Sequence, residues 1–332
     1  MIATVVAPAP VVAQPRAWPA AARPRTGRRV LGLAGLVFAA CVLVPQLGQA
    51  HAAVHALSRA QWAWLPLVGL SAGISYLMAA VALTGATAWP LVLRRTWAVQ
   101  VAAAFTNRLA PAGLGGMATN VRYLEGVGQD RPAAITAVGL SSLAGFLVHV
   151  AIVVALVPLI GLRAPRAPFA SPLPADWSLV LAAAGSVLVV AGVAQWGRPG
   201  VRRVGSWARS TAASLHVVGT SPRRAVALFA GAGGVTAAYA LGLAAAVQSF
   251  GGGVGTGRIV AVYLGSAAVA AAAPTPGGLG PLETGLVVGL RGAGMATGPA
   301  LGAVLVYRLV TYWLPVVPGV VLYRRLRQRA VL

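Results

Sequence analysis

Three charged residues stand where the surrounding sequence is apolar: Arg108 in "NRLAPAGLGG", Glu283 in "PTPGGLGPLE" and Arg308 in "YRLVTYWLP". Arg308 falls 10 to 12 residues into its apolar run, a depth of about 15 to 18 Å at 1.5 Å per helical residue. Arg108, beside Asn107, is similarly deep. An arginine at the centre of a bilayer costs at least about 2.5 kcal/mol on insertion scales, so each needs a partner. Glu283 is placed to serve Arg308 as a counter-ion, with a proton-coupling role as the weaker alternative. Two guanidiniums against one carboxylate leave a positive charge over, which favours an anionic ligand.

The glycines and prolines around these charges say how they are held. Pro281 fits the first position of a helix and Glu283 the third, so a helix restarts inside an apolar segment. The earlier copy restarts near Gly116. Such a restart aims unpaired N–H groups and a positive dipole end at whatever lies before it, which suits a phosphate. The candidate substrate-binding set is therefore Asn107, Arg108, Pro111, Gly113, Gly115, Pro276, Gly278, Gly280, Glu283 and Arg308.

The chain has 332 residues, 58% hydrophobic and 9% charged, with mean hydropathy +0.80. Soluble domains carry about 25% charged residues, and several runs here reach the roughly 20 residues needed to cross a bilayer. The class is an all-α polytopic membrane protein. The net charge of +22 comes entirely from arginines clustered in short connections. No folded basic face with interleaved aromatics is present, which excludes a nucleic-acid partner. Arginine without lysine, and abundant Ala, Gly and Pro, point to a GC-rich bacterial genome and a bacterial plasma membrane. Cys41 is the single cysteine, and the four histidines and four acidic residues have no metal-ligand spacing. No cofactor is expected, and with no nucleophile–base or paired-carboxylate arrangement neither is an enzyme.

Residues 1–29 compose a disordered cytoplasmic tail. The following "RRVLGLAGLVFAACVLVPQLGQAHA" resembles a signal peptide with a cleavage site at Ala50–Ala52, but it fits a retained signal anchor better because further spans follow. Full spans are expected at Val30–Gly48, Trp64–Ala88, Pro132–Gly161, Trp177–Trp196, Ala225–Phe250 and Ala296–Tyr323. Two segments, Trp97–Gly128 and Arg258–Gly292, are apolar but broken by Pro and Gly. If both are re-entrant hairpins, the arginines between Arg198 and Arg224 fall inside with both termini. If both cross, making eight helices, that loop flips outside against the positive-inside rule. Six spans plus two hairpins is the preferred layout, with 30–326 the membrane domain and 327–332 a basic cytoplasmic tail.

The two broken segments are copies. With Pro111 laid on Pro276, Gly113, Leu114, Gly115 and Thr119 match Gly278, Leu279, Gly280 and Thr284. The halves run about 64–161 and 225–323, and three spans between the copies make the repeat inverted. Broken helices of inverted repeats meet at a cavity near the midplane in many transporters. The Gly69–Gly73 spacing is expected to serve helix packing, and His149 to be satisfied between helices.

"NRLAPAGLGG", "PTPGGLGPLE" and "YRLVTYWLP" together resemble the transmembrane (flippase) domain of the lysylphosphatidylglycerol synthase family, from about Val99 to Leu326. The resemblance implies a stand-alone form without the aminoacyl-transferase domain, in a family whose membrane domain is linked to moving aminoacylated or glycosylated lipids between leaflets; the function expected here is movement of an anionic or polyprenyl-linked lipid between leaflets. Its partners would be membrane lipids. The alternative is a non-transporting scaffold for a cell-envelope lipid or glycan enzyme.

Overall fold

In the computed structural model the described residues are 60–110, 113–160, 219–272 and 278–329, with 58, 331 and 332. The N-terminal tail, the expected spans Val30–Gly48 and Trp177–Trp196, most of the 198–224 loop, Pro111 and Pro276 lie outside them. The chain divides into two units, Met1–Leu47 and Gly48–Leu332, and every described helix belongs to the second.

Among the described residues the structure is entirely helical. The first half contains α1 (Leu65–Gly85), α2 (Leu93–Leu109), α3 (Leu114–Gly126) and α4 (Arg131–Ile160). The second contains α5 (Pro222–Gln248), α6 (Thr256–Ala272), α7 (Pro281–Gly292), α8 (Thr297–Arg308) and α9 (Val316–Gln328). A π-helical turn, Leu309–Trp313, joins α8 to α9 into one long element. Prolines sit in the first turn of α1, α5 and α7, where a missing N–H costs nothing. Four elements are long and apolar enough to cross a membrane: Trp62–Gly85, Arg131–Ala155, Pro222–Gln248 and Thr297–Gln328. The protein is a multi-pass membrane protein.

The two halves meet along α1 and α5, which pack more extensively than any other pair. Small residues let them approach. A Cβ on Gly85 would fall 2.4 Å from the Leu228 nitrogen, one on Gly231 2.4 Å from the Ala82 nitrogen, and one on Gly242 2.4 Å from the Ser71 hydroxyl. At the start of α1, the Gln61 N–H donates to the Ser249 carbonyl at 2.7 Å. As α1 ascends from Ser71 to Gly85, its neighbours on α5 descend from Gly242 to Leu228, so these equivalent helices are antiparallel. An inverted repeat requires that relation. The exchange of ends is reciprocal: α9 packs on the α2–α3 pair of the other half, and α4 on α6. Gly69 and Gly73 take no part in close packing among the described residues, because a Cβ on either meets nothing within 4 Å there. The contact stripe of α1 is the one through Ser71, Met78, Ala82 and Gly85, two residues out of phase with the expected motif.

Charge divides by end. Arg94, Arg95, Arg122, Arg131, Arg223, Arg324, Arg325, Arg327 and Arg329 are exposed around the end where α1 and α3 finish and α5 begins. Arg224 donates there to the Ala88 carbonyl at 3.0 Å, and Leu326 and Val331 pack into a cluster with Tyr123 and Leu124. At the opposite end the described arginines are Arg258 and Arg291.

Candidate functional site

Each broken segment is a pair of helices folded against one another, and the two pairs are held differently. In the first, polar side chains of α2 meet those of α3 in rungs. Thr96 bonds the Tyr123 hydroxyl at 2.9 Å, the Gln100 amide donates to Asn120 Oδ1 at 2.9 Å, and the Thr106 and Thr119 hydroxyls lie 2.8 Å apart. Thr96 and Gln100 are four residues apart and so neighbours on one face of α2, and Thr106 continues the row near its end. Near the turn a Cβ on Gly115 would lie 2.0 Å from the Thr106 carbonyl oxygen, which explains a glycine whose φ is ordinary. Gly113, with φ of 73°, is the left-handed residue that starts α3.

The second pair closes on small residues instead. A Cβ on Gly285 would sit 3.0 Å from Ser266, and one on Gly289 2.6 Å from Val262. Gly278 and Gly280 have φ of 69° and 88°, as a break confined to glycine demands. Gly280 caps α7, and Glu283 at its third position reaches back so that the Gly280 N–H donates to Oε2 at 2.8 Å.

Glu283 has a second task. Its Oε1 accepts from Arg308 Nε at 2.6 Å, with the two side chains 19% and 9% exposed. One carboxylate thus joins the start of α7 to the end of α8. The expected counter-ion pair is present. The expectation of open N–H groups at the helix starts is corrected in part: Gly280 N–H is taken by Glu283, and Gly116 N–H by Asn107 Oδ1 at 2.6 Å. Each start is answered by a side chain of its own half.

The π-helical turn brings the two arginines together. Pro315 has no N–H to continue the α-ladder, and Leu314 N–H bonds back five residues to Leu309 at 2.8 Å. Both guanidiniums lie over the Tyr312 ring, Arg108 at 4.4 Å and Arg308 at 4.2 Å from its centre. Arg108 donates to the carbonyls of Ala104 and Tyr312, tying α2 of the first half to the last span of the second, and its buried Nε has no hydrogen-bond partner. Among the described residues Arg108 forms no ion pair, while Arg308 does.

Arg108 and Arg308 line a cavity of about 500 Å³ built from both halves. Asn107, Gly113, Gly116, Gln100 and Asn120 line it from the first pair, Tyr239 from α5, Tyr263 from α6, and Tyr307, Thr311 and Tyr312 from the last span. Of the sequence-derived set, Asn107, Arg108, Gly113 and Arg308 meet at this cavity. Gly115, Gly278, Gly280 and Glu283 shape the breaks behind it. His149, on α4, meets the Leu264 backbone of α6, as expected of a histidine held between helices, while its buried Nε2 has no hydrogen-bond partner among the described residues.

An all-helical inverted repeat with two broken helix pairs and arginines at their meeting point narrows the kinship of this chain, and a family model decides it. The model of the lysylphosphatidylglycerol synthase TM region matches residues 29–319. The chain belongs to that family. The match extends further towards the N-terminus than the motifs alone, taking in the apolar run from Val30 and both halves of the repeat. No curated protein matches the chain. Membership of the lysylphosphatidylglycerol synthase TM family places the cavity in a domain concerned with membrane lipids.

The tyrosines and the π-helical turn were not singled out by sequence reasoning. Tyr307 and Tyr312 flank Arg308 in "YRLVTYWLP", five residues apart, and Pro315 is the signal that the helix cannot continue regularly. The Gln100–Asn120 rung had a signal too, a run of Thr, Gln and Asn at helical spacing on both arms.

Proposed function

We propose that this protein moves an anionic or polyprenyl-linked lipid between the leaflets of a bacterial plasma membrane, without covalent chemistry. The observation that carries this reading is the cavity between the halves, where Arg108 brings a cationic side chain with no carboxylate against it among the described residues. A lipid phosphate is the counter-charge that such a site lacks, and Arg presents a fork of donors suited to it. The broken pairs are re-entrant in this account, entering and leaving on one side. The arginine-rich end then faces the cytoplasm, as the positive-inside rule favours, with both termini on that side. The antiparallel α1 and α5 supply the two-fold relation by which one arrangement can open to either leaflet in turn.

The test is reconstitution of the purified protein into vesicles holding a trace of acyl-labelled phosphatidylglycerol, followed by bleaching of the outer-leaflet label. The proposal expects the protected fraction to fall from about half towards zero as lipid exchanges between leaflets. A protected fraction equal to that of protein-free vesicles would refute transport by the protein alone.

A further inference from the structure

The last span, from Thr297 to Gln328, is shared between the two halves. We infer that its π-helical turn is a joint: α9 moves with the α2–α3 pair, α8 moves with α6 and α7, and Arg108 holds the joint shut until a phosphate competes for its guanidinium. This rests on the flippase reading and supplies the motion which that reading requires.

Packing divides the span at the turn. Before it, Tyr307 and Val310 sit in the apolar cluster of the second half, with Leu243, Leu286 and Leu290. After it, α9 packs on α2 of the first half. A Cβ on Gly319 would stand 2.9 Å from the Val101 carbonyl oxygen, and the Phe105 and Tyr323 rings meet edge to face at 5.9 Å. Leu326 joins Tyr123 and Leu124. One helix is thus anchored at each end to a different half. Its counterpart α4 crosses the other way. Ala134 and Val138 lie in the cluster of Tyr123 and Leu124, and His149 reaches the Leu264 backbone of α6. Between those anchors, a Cβ on Gly139 or Gly145 would meet nothing within 4 Å among the described residues. The α1–α5 seam, closed on glycines, is the axis between the two bodies.

The joint has a chemical basis. A π-turn encloses one residue more than an α-turn, and Pro315 withholds the N–H that a regular turn would use next. Such breaks are where helices bend. Arg108, on α2, reaches into this one, and its Nη2 donates to the Tyr312 carbonyl within the turn. The guanidinium therefore pins the turn to the body that carries α9. Nη1 is held by the Ala104 carbonyl of its own helix, and the buried Nε has no partner among the described residues. The side-on fork of a guanidinium is Nε with Nη2, so a phosphate gripped by that pair competes with the Tyr312 carbonyl for Nη2. Tyr312 is a positioning residue in this scheme. Its carbonyl sets where Arg108 rests, and losing Arg108 frees the turn.

Two measurements test the joint. Hydrogen–deuterium exchange in maltoside detergent follows the peptide covering 309–314, with and without short-chain phosphatidylglycerol or inorganic phosphate. Either probe is expected to raise amide exchange there at least about tenfold, the scale of releasing one hydrogen bond from a charged donor, and to leave the α1–α5 seam unchanged. Arg108→Gln is expected to show the raised rate with no probe present. No rise with both probes, or a wild-type rate in folded Arg108→Gln, overturns the latch. The second measurement combines Phe105→Cys with Gly319→Cys, Cys41 being replaced. Their Cβ atoms would start 3.0 Å apart, a small shift from the roughly 3.8 Å of a disulfide. Both residues belong to one body, so lipid exchange in the vesicles is expected to be the same oxidised or reduced. A loss on oxidation that reductant restores overturns the assignment of α9 to the first half. Absence of lipid exchange in the wild type would remove the flippase reading, and the deuterium measurement would still decide the joint.

Discussion

Replacing Glu283 by Gln keeps the shape of the side chain and removes its charge. Arg308 Nε, 2.6 Å away and on a side chain only 9% exposed, then loses its counter-ion in a place where water cannot compensate. Stranding one member of a buried pair costs about 3–5 kcal/mol. Glu283 is 19% exposed, and Gln keeps one acceptor oxygen, for Arg308 or for the Gly280 N–H but not for both as the two carboxylate oxygens serve them, so about 3 kcal/mol or more is the expectation. At about 2–4 °C per kcal/mol that is a drop of about 6–12 °C in thermal unfolding in detergent, followed by size-exclusion or scattering. Arg308→Leu strands the carboxylate instead and should fall by a similar amount. The double variant removes both charges, and a coupling of about 1–3 kcal/mol should return part of the loss. It should not recover lipid exchange, because the cavity has lost one of its two guanidiniums. Strict additivity of the two single losses would refute the pairing as a stabilising contact. A drop under 1 °C for Glu283→Gln would refute the claim that Arg308 depends on it.

Gly115→Val should separate α2 from α3, since its Cβ falls 2.0 Å from the Thr106 carbonyl, and should lower folded yield far more than Gly139→Val, where nothing lies within 4 Å; comparison of yields after gel filtration decides. Gly231→Leu should disrupt the α1–α5 seam by about 3 kcal/mol or more through overpacking, read as a fall in thermal stability, while Gly69→Leu should be tolerated. For orientation, with Cys41 replaced, Arg258→Cys should react with an impermeant thiol reagent in intact cells and Arg223→Cys should not; the reverse pattern would invert the assigned faces.

What the sequence disclosed, and what it hid, divides along a physical line. Gly278, Gly280, Pro281 and Glu283 were legible because a break, a positive φ and a helix start are decided by a few neighbouring residues. The pairing of Glu283 with Arg308 was legible because so few charges exist in the apolar runs that the partners almost choose themselves. The inverted arrangement followed from the count of spans, and the antiparallel α1 and α5 agree with it. Tyr312 was not legible, because its position over both arginines depends on a π-helical turn and on two helices of opposite halves meeting. The capping of α3 by Asn107 was missed for a similar reason: it needs two residues nine apart in sequence to come within 2.6 Å. The Gly69–Gly73 spacing did not point to the α1–α5 seam, because small residues are so frequent in this chain that a spacing carries little information about which face meets a given helix.

The most direct test of the central claim is lipid exchange by Arg108→Gln beside Arg122→Gln in the same vesicles. Arg108 lines the cavity, and Arg122 is exposed at the arginine-rich end. Arg108→Lys serves as the conservative companion, retaining the charge without the fork. The account predicts that Arg108→Gln, verified as folded by gel filtration, exchanges phosphatidylglycerol at least about tenfold more slowly than wild type, a loss of about 1.4 kcal/mol of transition-state stabilisation or more. Arg108→Lys should be intermediate and Arg122→Gln close to wild type. Exchange by Arg108→Gln at the wild-type rate would contradict the assignment of this cavity as the lipid's path.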